Sequence, residues 1–116
     1  MAIIVYETLT GNTLNTKAFS LRNTRGNRNV YTVHVSGTFG GGTITVFTNS
    51  QGEAGAKAAT THDVAILNSA GLAVSYTSNG SFDFECNSDP EHPTALKVVL
   101  AGATSPSIIL TVCNVQ

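Results

Sequence analysis

The stretch that decides the fold is VYTVHVSGTFGGGTITVF, residues 30–47. Two runs that alternate apolar and polar residues, 30–36 and 43–48, flank three consecutive glycines at 40–42. A phosphate-binding loop needs glycines that open a helix. Here the glycines are followed by β-branched residues with a period of two, which is typical of a strand. The stretch therefore predicts a central β-hairpin with the glycines in its turn, where the absence of Cβ permits positive φ.

The rest of the chain repeats this pattern of short alternating runs separated by turn-forming clusters. The runs are residues 3–8, 18–21, 30–36, 43–48, 64–67, 73–76, 81–86, 94–101 and 107–115. The long connection between the fourth and fifth runs contains EAGAKAA, which predicts one helical turn at most. Strands of this length and spacing predict an all-β fold, an antiparallel β-sandwich or jelly roll of about eight to nine short strands, with a small barrel as the alternative. Residues 1–16 are predicted to form an N-terminal strand or arm, and residues 17–116 a single domain.

The period of two also predicts which side chains face the core. On the third run the more apolar set faces inward: Tyr31, Val33 and Val35. On the seventh run two aromatic rings and a thiol share one face and two carboxylates share the other: Phe82, Phe84 and Cys86, against Asp83 and Glu85. Residues 96–100 and 108–112 are apolar on both faces, so we expect cover on both sides, from the opposite sheet and from a second layer for which another subunit is a candidate.

The low content of charged residues bears on which classes of partner are expected. Charged residues make up 11% of the 116-residue chain and the formal net charge is −1, against roughly 25% charged residues in ordinary domains. Such a surface has little field to attract nucleic acid or an anionic membrane, so neither is an expected partner. No apolar run approaches the ~20 residues of a membrane span, and no secretory signal is recognised. We expect assembly in the cytoplasm, with Cys86 and Cys113 as free thiols rather than a disulfide.

A metal site is predicted to be absent. The nearest constellation is Asp89, Glu91 and His92, but two prolines flank it and the segment is typical of a solvated turn.

Two other constellations contain residue types that catalysis uses. Asp83 and Glu85 resemble paired carboxylates of a glycosidase, but without a Trp or an aromatic cleft they predict a surface stripe. His62 and Asp63 have no nucleophile as partner and are predicted to be polar residues at a loop end. The sequence therefore predicts neither an enzyme nor a cofactor.

The charged residues are clustered along the chain. Four of the six basic residues fall within twelve positions: Lys17, Arg22, Arg25 and Arg28. Four of the seven acidic residues fall within nine: Asp83, Glu85, Asp89 and Glu91. If the fold separates the two patches, each can contact its counterpart on a neighbouring copy; if it brings them together, they form an intramolecular network. The Arg-rich segment is either a solvated loop or a contact loop.

Three stretches resemble small virion proteins of tailed bacteriophages: VHVSGTFGGGTITVFTNSQG, GLAVSYTSNGSFDFEC and LKVVLAGATSPSIILTV. The matching motifs are SGTFGG at 36–41, GSFDF at 80–84 and residues 96–104, and the resemblance covers about two-thirds of the chain. The chain departs from the pattern at residues 49–52, after which the family often has a Trp.

The resemblance implies a non-enzymatic virion protein, a capsid decoration (cement) protein that binds the major capsid protein at the head surface. It also implies a homo-oligomer, with a trimer favoured. The first 16 residues can add a strand to a neighbour. The predicted contact residues are Ile3, Val5, Tyr6, Arg22, Arg25, Arg28, Asp83 and Glu85. The alternative is a receptor- or carbohydrate-binding module of a capsid spike or tail fibre, in which Tyr6, Tyr31 or Tyr76 stacks on a sugar.

Overall fold

A computed structural model describes residues 2–13, 17–21, 30–86 and 94–115. Within these ranges the chain forms two antiparallel sheets packed face to face, so the predicted all-β sandwich of about nine strands is confirmed. The strands are β1 Ala2–Leu9, β2 Ala18–Leu21, β3 Val30–Thr38, β4 Thr43–Asn49, β5 Asp63–Ala65, β6 Ser75–Tyr76, β7 Gly80–Glu85, β8 Thr94–Ala101 and β9 Ser107–Val115, and the helix α1 is Gly52–Ala58.

The strand order is that of a jelly roll. Sheet A has the order β1-β9-β3-β7, and sheet B has the order β2-β8-β4-β5, with β6 also paired to β4. Strands from the first half of the chain pair with strands from the second half in reverse order: β1 with β9, β2 with β8, β3 with β7 and β4 with β5. This is the pairing of one long hairpin. Alternate pairs lie in opposite sheets, which is how a long hairpin rolls into two layers around one core.

The predicted hairpin of residues 30–36 and 43–48 is wrong. β3 lies in sheet A and β4 lies in sheet B, so residues 39–42 form an arch between the sheets. Phe39 is buried in the arch, and its carbonyl accepts a hydrogen bond from the amide of Gly42 at 2.9 Å. The alternation identified each strand, but the same alternation serves a strand whichever neighbour it pairs with.

A second arch, at residues 102–106 between β8 and β9, lies against the first. The amide of Thr104 donates to the carbonyl of Gly40 at 2.9 Å. Gly40 has a φ of +60°, and a Cβ built there would stand 2.1 Å from the Thr104 carbonyl oxygen. Only glycine satisfies both the positive φ and the close approach, which gives the glycine stretch its structural role.

The core between the sheets confirms the predicted inward faces. Tyr31, Val33 and Val35 are buried, and the Tyr31 ring stacks on Phe84 with centroids 5.5 Å apart. Burial, with a smaller contribution from the nearby Cys86 thiol, raises the pKa of Tyr31 to about 12. The Tyr31 hydroxyl is therefore neutral at physiological pH.

No disulfide joins Cys86 and Cys113, as predicted. Cys113 is aligned with Thr32 on the outer side of sheet A, whereas Cys86 packs against the core. A disulfide between them would have to cross the sheet.

The helix α1 corrects two predictions. EAGAKAA contributes to a seven-residue helix rather than one turn at most. The buried Ala56 of this helix packs with Ala18 and Ala95, so α1 covers the outer side of β8, where another subunit was a candidate. The sequence pattern missed this layer because alanine and glycine give no apolar period, although their small size lets a helix approach a sheet closely. In the part of the chain that the structure describes, no helix has the length and apolarity of a membrane span.

Candidate interaction surface

The strands at the edges of the two sheets differ in how well they are protected against pairing with another chain. A sheet edge exposes unpaired backbone N–H and C=O groups, and proteins usually protect edges with short strands or charged side chains. In sheet B the flanking strands β2, β5 and β6 have four, three and two residues. In sheet A, β7 carries the exposed carboxylates Asp83 and Glu85.

β1, the other edge of sheet A, lacks both kinds of protection. It has eight residues, and Glu7, its one charged residue, is paired with Lys17 at 2.9 Å. The register against β9 shifts once, between Ile3 and Val5. β1 is therefore the edge in the described chain most suited to accept or donate a strand.

An exposed apolar patch lies next to this edge, on the outer side of sheet A. Ile3 and Tyr6 each keep 65% of their surface exposed, and Ile109 keeps 37%. The register aligns Tyr6 with Thr111 and Thr111 with His34, so these side chains form a row across three strands. We call this surface the A face and define it by Ile3, Tyr6, Ile109, Thr111 and His34.

The structure separates the predicted contact residues. Ile3 and Tyr6 lie on the A face, but Val5 points inward and packs in the core. Asp83 and Glu85 are exposed on β7, at the opposite edge of the same sheet. The three predicted arginine contacts lie outside the described residues: Arg22, Arg25 and Arg28.

The described part of the predicted arm, residues 2–13, lies on the sandwich. β1 pairs with β9 along the strand. Thr13 is anchored on β8, because its amide donates to the Leu100 carbonyl at 2.8 Å and its hydroxyl donates to the Val98 carbonyl at 3.0 Å. That this segment adds a strand to a neighbour stays a prediction, and the free edge of β1 is the part that could do so.

A groove of about 410 Å³ lies between β7 and the connection from β5 to β6. The rings of Tyr76 and Phe82 stack in its wall, with centroids 5.9 Å apart. Asp83 also lines the groove, and the Thr32 hydroxyl donates to one oxygen of its carboxylate at 2.6 Å. Half-exposed aromatic rings beside an oriented carboxylate and the Asn68 amide could hold a small polar ligand.

The described residues also bear on metal binding and on thiol chemistry. In residues 2–13, 17–21, 30–86 and 94–115, no group of three His, Cys, Asp or Glu side chains is placed to hold a metal ion. The predicted turn with Asp89, Glu91 and His92 lies outside these ranges. Burial raises the pKa of the Cys86 thiol, which opposes formation of a nucleophilic thiolate.

A buried polar cluster under α1 has no counterpart among the predictions from sequence. The Lys97 ammonium is fully buried, 2.9 Å from Asp63 Oδ2 and 3.2 Å from the Ala59 carbonyl. The Asn49 side-chain amide donates to Asp63 Oδ1 at 2.7 Å. Asp63 was predicted to be a polar residue at a loop end, whereas its side chain is almost fully buried. The available signal was Lys97 itself, the single charge within the apolar run at 95–100.

Comparison with models of known protein families, with curated proteins and with solved structures found no match for this chain.

Proposed function

We propose that this chain is a structural protein of a bacteriophage virion, a capsid decoration protein that binds the head surface and stabilises contacts between major capsid subunits. The observation that carries the proposal is β1, which combines an unprotected sheet edge with the exposed side chains of Ile3 and Tyr6. Such an edge beside an apolar patch favours a permanent partner over free solvent.

The docking energy in this proposal comes from two sources. Burial of the A face removes apolar surface from water, at about 25 cal/mol per Å². Tyr6 is the aromatic side chain most suited to anchor the contact, because a large ring buries much area with few rotatable bonds. Backbone pairing along β1 supplies the register.

Two further features support a virion role. The strand order is that of a jelly roll, an architecture that viral capsid domains use among others, so it supports the role at the level of fold alone. A formal net charge of −1 suits a protein held at high local density by its neighbours. The resemblance to virion proteins supplies the specific proposal of a cement function.

We include a homotrimer in the proposal because the resemblance implies one. β1 and β7 are the two edges of sheet A and run in opposite directions. A ring in which β1 of one subunit lies beside β7 of the next would therefore continue the antiparallel sheet. Such a contact would place Asp83 and Glu85 at the interface.

We expect Tyr6→Lys to reduce binding to empty capsids of the phage that encodes the protein by about 30-fold or more, since loss of a buried aromatic anchor costs at least 2 kcal/mol. Co-sedimentation at graded protein concentration measures the affinity, and light scattering measures the oligomer. Leu72→Lys is the matched control, because Leu72 is 66% exposed, as Tyr6 is 65% exposed, but lies outside the A face.

The control should bind as the unaltered protein does. Equal binding by both variants would remove the A face from the proposal. Failure of the unaltered protein to sediment with capsids at any concentration would contradict the cement function itself.

A second candidate function, carbohydrate or receptor recognition, is favoured by the groove beside β7. Of the three tyrosines considered for stacking, Tyr31 is fully buried and Tyr6 lies on the A face, whereas Tyr76 lines the groove. Neutral polar groups and an aromatic ring are the usual elements of a sugar site, with the carboxylate of Asp83 accepting hydrogen bonds from hydroxyls.

If this second candidate is correct, a glycan array should show binding that Tyr76→Ala reduces at least tenfold and that Tyr6→Lys leaves unchanged. Tyr76→Phe is the conservative control, because it keeps the ring. An array without signal for the unaltered protein would exclude glycan recognition by the groove.

A further inference from the structure

The cluster under α1 brings together an amine, a carboxamide and a carboxylate on adjacent strands. Lys97 lies on β8, Asn49 on β4 and Asp63 on β5, all on the outer side of sheet B. The register pairs Asn49 with Asp63 directly, and it pairs Lys97 with Phe47, so Lys97 and Asn49 are diagonal neighbours. Diagonal side chains on one face of an antiparallel pair are within reach of each other when one of them is long.

One carboxylate bridges the two nitrogen atoms. Asp63 Oδ2 is 2.9 Å from the Lys97 amine nitrogen, and Asp63 Oδ1 is 2.7 Å from the nitrogen of the Asn49 carboxamide. Asp63 is thus placed to remove a proton from the amine and to deliver a proton to the carboxamide nitrogen, which are the two transfers that an amine–amide exchange requires.

The carbonyl of Asn49 is also engaged. Its Oδ1 accepts a hydrogen bond from the backbone N–H of Gln51 at 2.9 Å. A fixed backbone donor on a carbonyl oxygen stabilises the negative charge that develops there when a nucleophile adds to the carbon.

The site is dry. Lys97 is fully buried and Asn49 is 1% exposed. The alanines Ala18, Ala56 and Ala95 form a buried cluster between α1 and the sheet next to these residues. Taking an ammonium and a carboxylate out of water is costly, which favours chemistry that removes the charges, and a dry site suppresses hydrolysis of the product.

We propose that Lys97 and Asn49 form an intramolecular isopeptide bond with Asp63 as the acid–base catalyst. The Lys97 ammonium transfers a proton to Asp63, and the neutral amine adds to Cγ of Asn49. Asp63 relays a proton from the attacking nitrogen to the carboxamide nitrogen, and the bond from Cγ to that nitrogen breaks. One C–N bond forms and one breaks, ammonia leaves as NH3, and Asp63 keeps the proton that Lys97 gave up, so the product is a neutral amide beside a neutral carboxylic acid. No oxidant or cofactor takes part.

The bond would join β4 to β8 through their side chains, under a helix that shields it. It would place a covalent link in sheet B, while the A face of the other sheet stays free to bind a partner. The inference does not depend on the proposed virion function, since it concerns the chemistry of the single chain.

High-resolution mass spectrometry of the intact, denatured full-length protein tests the proposal. The expected mass is that of the sequence less one ammonia, after allowance for removal of Met1. The expected tryptic map contains residues 29–57 joined to residues 58–116, with no cleavage after Lys97. An intact mass equal to that of the sequence would overturn the proposal.

Variants assign the roles of the residues. Lys97→Met should restore the full mass by removing the nucleophile, and Asp63→Asn should reduce the linked fraction at least tenfold by removing the catalyst. Lys57→Met, which alters the exposed lysine of α1, should leave the ammonia loss unchanged. The unaltered protein already decides the question, so a variant that fails to fold leaves the test intact.

Two other outcomes would also overturn the assignment. Loss of one water with Lys97 joined to Asp63 would show that the carboxylate, not the carboxamide, is the acceptor. Loss of ammonia followed by addition of one hydroxylamine to the protein, with normal cleavage after Lys97, would show a succinimide at Asn49 rather than an isopeptide bond, because hydroxylamine opens that ring as a hydroxamate.

Discussion

Replacing Lys97 with alanine is expected to lower the free energy of unfolding by about 3–5 kcal/mol, because it leaves the buried carboxylate of Asp63 without its cation. The same change removes the hydrogen bond from Lys97 to the Ala59 carbonyl, which ties the end of α1 to sheet B. If Lys97 is bonded to Asn49, the same change removes that covalent link, so a loss of stability is expected in either state. Urea unfolding followed by circular dichroism measures the change.

Lys57 provides the matched control. Lys57 lies on α1, the helix that covers the buried pair, and its ammonium is 3.5 Å from the carboxylate of Glu53. Both side chains are close to half exposed. Surface pairs of this kind contribute about 0–1 kcal/mol, so Lys57→Ala should be nearly neutral. Similar unfolding midpoints for Lys57→Ala and Lys97→Ala would contradict the structural importance of the buried pair.

The second large effect is expected at the glycine arch. Gly40→Ala should lower the free energy of unfolding by about 2–5 kcal/mol, since it combines a left-handed backbone with steric overlap. The added Cβ would stand 2.1 Å from the Thr104 carbonyl oxygen, a backbone atom that cannot rotate away. Thermal unfolding of the purified variant measures the loss.

Gly41 is the control that separates the cost of the left-handed backbone from the cost of the steric overlap. Its φ is +78°, similar to that of Gly40, but a Cβ at this position meets no atom within 4 Å. Gly41→Ala should therefore show only the backbone cost, about 1–2 kcal/mol. If both alanine variants lose the same stability, the contact between the two arches contributes little.

The sequence predicted the strands and their inward faces, because those depend on local alternation. Tyr31, Val33 and Val35 lie two residues apart and are all buried. Alternation does not identify the partner of a strand, and so the same pattern at residues 39–42 fits a hairpin turn as well as an arch. The difference depends on Phe39 entering the core and on Gly40 contacting a segment more than sixty residues away.

Candidate sites were harder to predict than strands. Residues 3–5 are Ile, Ile and Val, so an apolar count cannot tell which of them faces solvent; the register shift against β9 leaves Val5 inside and Ile3 outside. The cluster of Lys97, Asp63 and Asn49 assembles from three strands and requires the helix above them. Neither the covering helix nor the pairing of β5 with β4 has a strong local signature.

The nested pairing of the strands has a consequence for how the chain folds. The partner of the first strand, β1, is the last strand, β9, so the outermost pair joins residues separated by nearly the whole sequence. Contacts at such sequence separation must overcome a large loop entropy before they form, which places the protein among the slow folders, roughly in the millisecond to second range. During synthesis on the ribosome, β1 cannot pair with β9 until β9 has emerged. Until then its apolar side chains have no native partner, and a transient chaperone would find its binding site there.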